Sequence, residues 1–155
     1  GGAITAGNAP GLNDGGAALV LMSGERAKAS GAKPIARVVA YATGGGEPKD
    51  LFFAPIDAVQ KLMQKMSVTI GHFDLIEANE AFAAQAIADG RALGWDWERV
   101  NVNGGAVALG HPIGASGARV LVTLLHALEQ RGKKTGLATL CLGGGNAVAL
   151  AVERV

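Results

Sequence analysis

Asn103-Gly104-Gly105-Ala106-Val107-Ala108-Leu109-Gly110-His111-Pro112-Ile113-Gly114-Ala115-Ser116-Gly117 places one histidine at the tip of a glycine-dense turn, after a strand-like segment and before a long apolar helix. Pro112 disfavours the helical region for the residue before it, which keeps His111 extended. Gly114 and Gly117 allow close approach of a backbone or ligand. The helix that Gly-Ala-Ser-Gly opens points its free N–H groups back toward the turn. Two readings follow: a glycine-rich structural turn with a surface histidine, or an imidazole presented beside a site for developing negative charge. The run alone does not separate them.

Downstream, Ala115 to Arg131 is apolar nearly all round, which predicts a helix buried between layers. Leu137 to Leu142 and Ala147 to Val152 read as strands, and the short Gly143-Gly144-Gly145-Asn146 join predicts an antiparallel hairpin. Upstream lie strands at Ile35 to Ala42, Phe73 to Ala78 and Val100 to Val102. Between them, a helix from near Pro55 sets Ile56, Val59, Met63 and Met66 on one face, and a helix Glu80 to Leu93 sets Phe82, Ala86 and Leu93 together. From Ile35 the order is β-α-β-α-β-α-β-β, which predicts an α/β fold with a mixed five-stranded sheet and a buried helix on one face. Before it, Leu19 to Met22 reads as a strand, and Ser23 caps a helix Gly24 to Ala29 that Gly31 ends. This pair looks like the close of a preceding unit, with the boundary near Gly31.

The 24 glycines fall in clusters between apolar segments, without collagen-like period, as expected where loops must approach something closely. A net charge of +1 with no basic run gives no reason to expect nucleic acid. No apolar stretch has membrane-spanning length. One cysteine excludes an internal disulfide and fits a reducing, cytoplasmic compartment. The chain starts Gly-Gly-Ala-Ile-Thr without methionine or a signal-peptide pattern, so a piece of a longer protein is expected.

Three residues that can do chemistry sit where strands hand over to loops: Asn79, His111 and Cys141. Open α/β sheets bind ligands at such strand ends. Cys141, before Leu142-Gly143-Gly144-Gly145, reads either as an inert buried thiol or as an acid/base beside N–H groups able to hold an oxyanion. Asn79, in Glu77-Ala78-Asn79-Glu80-Ala81-Phe82, reads either as a helix cap or as a holder of water or carbonyl. His72 and His126 are incidental, and Phe82, Met63 and Met66 read as core. The histidines and the cysteine lack metal-ligand spacing, so no metal is expected. Dinucleotide and phosphate-loop motifs are missing as well.

Taken together, Thr5-Ala6-Gly7-Asn8-Ala9-Pro10-Gly11-Leu12-Asn13-Asp14-Gly15, Asn79-Glu80-Ala81-Phe82, Asn101-Val102-Asn103-Gly104-Gly105, Gly110-His111-Pro112 and Cys141-Leu142-Gly143-Gly144-Gly145 resemble the thiolase family, and within it the acetyl-CoA acetyltransferases. The order and spacing match over essentially the whole chain. The resemblance implies half of an α-β-α-β-α layered fold, with residues 1–31 ending the N-terminal half and residues 32–155 forming the C-terminal domain. It implies an acyltransferase that condenses two acetyl-CoA to acetoacetyl-CoA and CoA, or runs the reverse thiolysis in fatty acid metabolism. The substrates would be coenzyme A thioesters, with no resident cofactor, and the full protein a homo-oligomer.

By the same resemblance His111 activates a nucleophile, Cys141 is the acid/base, and developing negative charge is met by His111, a water held by Asn79 and the Gly143 N–H. Ala6, Pro10, Phe82 and His111 would face the CoA substrate. Pro10 stands where the family commonly has serine, and Phe52 and Phe53 fall in a divergent segment, either reshaping the acyl pocket or packing beneath it. The family's nucleophilic cysteine has no counterpart here, so the isolated chain is expected to be inactive and to need the N-terminal half as partner. A non-catalytic module that binds CoA or a partner is the alternative. A ketoacyl synthase would carry a second histidine in place of Cys141.

Overall fold

The computed structural model describes residues 2–155. One helix precedes the sheet: α1 (Gly24–Ser30), whose first turn is capped by Ser23 Oγ accepting from Arg26 N and whose end is closed by Gly31 at φ 68°. The remaining order is β1 (Ala36–Gly45), α2 (Ala54–Met66), β2 (Leu75–Ala78), α3 (Ala83–Leu93), α4 (Ala106–Leu109), α5 (Ser116–Gln130), β3 (Thr135–Leu142) and β4 (Asn146–Arg154). Short 3-10 turns at Pro48–Phe53, Ile70–His72 and Trp97–Arg99 join them.

The four strands form one mixed sheet in the order β1-β4-β3-β2. β3 and β4 make the expected antiparallel hairpin, β1 adds antiparallel to β4, and β2 runs parallel to β3. Alternate side chains go to opposite faces of a strand, and both faces are covered. Ile76, Leu137, Ala147, Ala149 and Ala151 face α2, meeting Ala54, Ala58, Val59 and Leu62. Leu75, Ala138 and Val152 face α5, meeting Val120, Leu124, Ala127 and Leu128. The alanines of β4 let α2 settle close to the sheet. On β2 this alternation sends Glu77 to the α5 side, where Arg119 lies.

Several expectations are corrected. Among the described residues the sheet has four strands, not five: Val100 makes a single parallel bridge to Ile76, and Asn101 at φ 47° turns the chain away at once. Asparagine tolerates that left-handed conformation better than most residues. Leu19 to Met22 forms no strand, and Val20 and Leu21 are 85% and 71% exposed. Among the described residues nothing lies alongside to complete a ladder there, so the apolar composition has no hydrogen bonds to work through.

The buried face of α2 is Ala54, Pro55, Ala58, Val59 and Leu62, while Ile56, Met63 and Met66 are only partly buried at its margins. α3 starts three residues later than expected, so Phe82 stands at its cap and outside the helix. α5 is buried along one face, not all round, and His126 is exposed.

Candidate functional site

The parallel pairing of β2 with β3 sets their carboxyl ends side by side, with Ala78 opposite Thr139. Asn79 and Cys141 are therefore on one edge. Asn79 N donates to Thr139 O at 2.9 Å, carrying the ladder one residue beyond β2. On the other side, the Asn101 amide takes both backbone groups of Ala78: Oδ1 accepts from Ala78 N and Nδ2 donates to Ala78 O, each at 2.9 Å. A side chain thus does what the missing fifth strand would have done.

Asn79 is 3% exposed and caps no helix, which removes that reading of it. Arg119 Nη2 donates to Asn79 Oδ1 at 3.3 Å, and this turns the Nδ2 end toward His111 Nε2, 3.4 Å away. On the far side of the ring, His111 Nδ1 lies 2.7 Å from Ser116 Oγ, which also donates to Pro112 O at 3.0 Å. The one serine proton is engaged by Pro112 O, so Oγ meets the ring as an acceptor and Nδ1 carries the hydrogen. Nε2 is left with its lone pair toward the Asn79 N–H. The ring is therefore held as a base at Nε2.

The turn is positioned from below. Glu80 Oε2 accepts from Val107 N at 3.1 Å, capping the short α4, and the carboxylate occupies the space that a Cβ on Gly105 would need. Gly110 has φ 100°, a conformation that favours glycine, and the Asn13 side chain fills the place of its missing Cβ. His111 N then donates to Gly11 O at 3.1 Å, holding the extended backbone that Pro112 predicts.

Cys141 is half-buried near the end of β3. Its thiol donates to Gln85 Oε1 of α3 at 3.8 Å. Asn146 Nδ2 donates to Gly143 O at 3.2 Å, and Gly46 N donates to Gly145 O at 2.8 Å, which ties the turn after Cys141 to the glycine turn after β1. Gly143 itself is exposed.

The N-terminal stretch reaches the same region. Ala83 N donates to Asn8 O at 3.0 Å, docking the Thr5–Asn8 turn at the start of α3, with Ala6 exposed and Pro10 half-buried. Phe82 is half-buried and meets Phe52 edge-on at 5.1 Å, so Phe52 packs, while Phe53 is 52% exposed. His72 and His126 lie elsewhere and exposed. A cavity of about 470 Å³ lined by Asp74, Leu75, Glu98, Arg99, Arg131 and Lys133 opens at the opposite, amino-terminal edge of β2.

Burial and charge set the protonation states. Burial holds His111 below the usual imidazole range, and the Arg119 charge adds to this. The ring is thus neutral at pH 7. Burial pushes the Cys141 thiol up; Gln85 opposes this, and the Asp89 charge adds to it. Glu77, 1% exposed, is raised by burial to about 7 against the pull of Arg119 Nη1, 3.9 Å from its Oε2. Asp89, 3% exposed, is likewise raised by burial to about 7.

Ser116, Arg119, Gln85 and Asp89 did not stand out in the sequence as site residues. The two on α3 had a signal: positions 85, 86, 89, 90 and 93 form its buried face, so a glutamine and an aspartate there interrupt an apolar stripe. Among the described residues no three His, Cys, Asp or Glu side chains converge as a metal site. No helix among them is long and apolar enough to cross a membrane.

Fold and site define a mixed α/β protein with an amide, an imidazole and a thiol along the carboxyl edge of one sheet. The sequence model of the thiolase C-terminal domain matches residues 32–154, and the chain belongs to the thiolase family. It is 58% identical over 154 residues to the acetyl-CoA acetyltransferase of Escherichia coli K12, covering 99% of this chain and 39% of that protein. To the acetyl-CoA acetyltransferase of Syntrophomonas wolfei it is 59% identical over 155 residues, with the same coverages of 99% and 39%. Among solved structures, the Bacillus anthracis acetyl-CoA acetyltransferase superposes with a TM-score of 0.95 at 51% identity, over 98% of this chain and 39% of that one. The chain thus spans about 39% of the length of these relatives.

Proposed function

We propose that this chain carries the proton-transfer and oxyanion side of a thiolase active site, working on coenzyme A thioesters. The overall reaction is condensation of two acetyl-CoA to acetoacetyl-CoA and CoA, or thiolysis of a 3-ketoacyl-CoA. The names of the relatives support the substrate class. The observation that carries the reading is the imidazole of His111, with Nδ1 engaged by Ser116 and Nε2 facing the Asn79 amide.

The chain has one cysteine, and Cys141 in its glycine turn takes the acid/base role. The acyl-accepting cysteine then belongs to a segment outside these 155 residues. In this scheme His111 Nε2 takes the proton of that cysteine as its sulfur bonds to the acyl carbon, the bond from that carbon to the CoA sulfur breaks, and the departing CoA takes the Cys141 proton, leaving Cys141 as the thiolate. The Cys141 thiolate next removes an α-proton from a second acetyl-CoA. Negative charge on its thioester oxygen is met by the protonated Nε2 and a water held by Asn79, and the Gly143 N–H faces the tetrahedral oxygen. The enolate carbon attacks the acyl carbon, the acyl–sulfur bond breaks, and the nucleophilic thiolate departs. Ala6, Pro10 and Phe82 border the CoA arm, and the complete protein works as a homo-oligomer in the cytoplasm.

In an enzyme uniting this chain with a nucleophile-bearing half, Cys141→Ala should abolish α-proton exchange of acetyl-CoA and leave acyl-enzyme formation measurable. Loss of both would overturn the division of roles. The isolated chain should not thiolyse acetoacetyl-CoA; turnover removed by Cys141→Ser would make Cys141 the nucleophile instead.

A further inference from the structure

α3 buries two polar side chains beside Cys141. Gln85 and Asp89 are 4% and 3% exposed, on the face that also buries Ala86 and Leu93. Gln85 Oε1 accepts the thiol hydrogen at 3.8 Å. Its Nε2 and Asp89 Oδ1 are both buried without a hydrogen-bond partner, yet near enough that the amide partly offsets the effect of burial on the carboxyl. Burying such groups costs free energy that apolar side chains at the same positions would not.

An acid/base thiol needs a partner in both of its states, and a primary amide offers one to each: oxygen accepts from S–H, and nitrogen donates to S⁻ after half a turn of the amide. Asp89, one helical turn further on, selects between the two orientations. As a carboxylate it draws Nε2 toward itself and leaves Oε1 to the thiol. Protonated, it donates to Oε1 and leaves Nε2 to the thiolate. We propose that Gln85 and Asp89 are positioning residues for Cys141, the amide turning between thiol and thiolate as Asp89 loses and gains its proton. Burial raises Asp89 to about 7, which puts both of its states within reach near neutrality. Among the described residues Asp89 is the ionisable neighbour whose charge acts on Cys141.

The inference rests on Cys141 as the acid/base of the site, but its test reads the thiol and not turnover, so the two fail separately. Cys141 is the chain's one cysteine, so the pH profile of iodoacetamide alkylation reports a single thiolate. Asp89→Asn should lower its midpoint by about one pH unit, and Gln85→Met should raise it. In the Gln85→Met background, Asp89→Asn should shift it by less than about half as much, because Asp89 acts through the amide. An undiminished shift there would mean direct charge alone and would overturn the proposal, as would unchanged midpoints in both single variants. The unsubstituted chain supplies an arm free of folding effects: the Gln85 side-chain amide resonances should move as Asp89 titrates near pH 7. If they stay fixed through the Asp89 titration, the proposal fails.

Discussion

Ser116 has one hydroxyl proton, and with Pro112 O at 3.0 Å that proton is engaged, so the His111 ring can meet Ser116 only as a donor. The tautomer follows from a residue five positions along, whose role depends on the helix starting at that point. Ser116→Ala should release the preference: the imidazole 15N resonances should move from a protonated Nδ1 toward a mixture of tautomers. Under the proposed function, acyl transfer by an enzyme uniting this chain with a nucleophile-bearing half should fall roughly 10- to 100-fold, less than the ~10⁴ seen when a catalytic histidine is held wholly in the wrong tautomer. A spectrum identical to that of the unsubstituted chain would remove Ser116 from this role. Arg119 does for Asn79 what Ser116 does for His111, since its bond to Oδ1 decides which end of the amide faces the ring. At this scale Asn79 and Cys141 were legible because each sits at or near a strand end, and His111 because it sits in a glycine turn just before a helix start. Their partners were not, because Ser116, Arg119 and Gln85 are common helix residues whose meaning lies in what they touch.

Helices and strands show where periodicity succeeds and where it misleads. The β3–β4 hairpin, α1 with its Ser23 cap, and the helix after Gly-Ala-Ser-Gly follow from local signals that no tertiary contact opposes. Val100 to Val102 has the composition of a strand but ends after one bridge, because Asn101 adopts φ 47° and its side chain replaces the ladder. The buried face of α2 is set by the alanines of β4, which draw in Ala54, Ala58 and Leu62 in place of the bulkier methionine edge. Leu124, fully buried between α5 and the sheet, should cost about 2–5 kcal/mol on replacement by alanine, read by urea unfolding. Gly110→Ala tests the turn itself. It forces an L-residue to φ 100° and pushes on the Asn13 side chain, and should cost about 1–3 kcal/mol while shifting the His111 ring resonances. A stable variant with unmoved ring signals would show that the turn does not depend on this glycine.

Across the whole molecule, two carboxyls buried with few partners tie stability to pH. Unfolded Asp89 releases its proton near 3.8, whereas in the fold burial keeps it protonated up to about 7. Between these values the unfolded state binds fewer protons, so this group's contribution to stability is lost as pH rises. At about 1.4 kcal/mol per pKa unit the loss is at most about 4 kcal/mol. Asp89→Asn cannot ionise, so its stability relative to the unsubstituted chain should climb between about pH 4 and pH 7.5 in urea unfolding; parallel curves would deny the buried carboxyl this effect. Glu77, also raised to about 7, works in the same direction and should leave a residual slope in that variant. The amino-acid sequence by itself determined most of the helices and strands, the mixed sheet and the three residues Asn79, His111 and Cys141, because hydrophobic period, caps and glycine turns are local physics. Tertiary structure alone decided the number of strands, the buried faces of α2 and α5, and the side chains that set proton positions at His111, Asn79 and Cys141. Those depend on which groups burial leaves facing one another across the sheet edge, and residues 32 to 56 positions apart in the chain meet there only once the fold has closed.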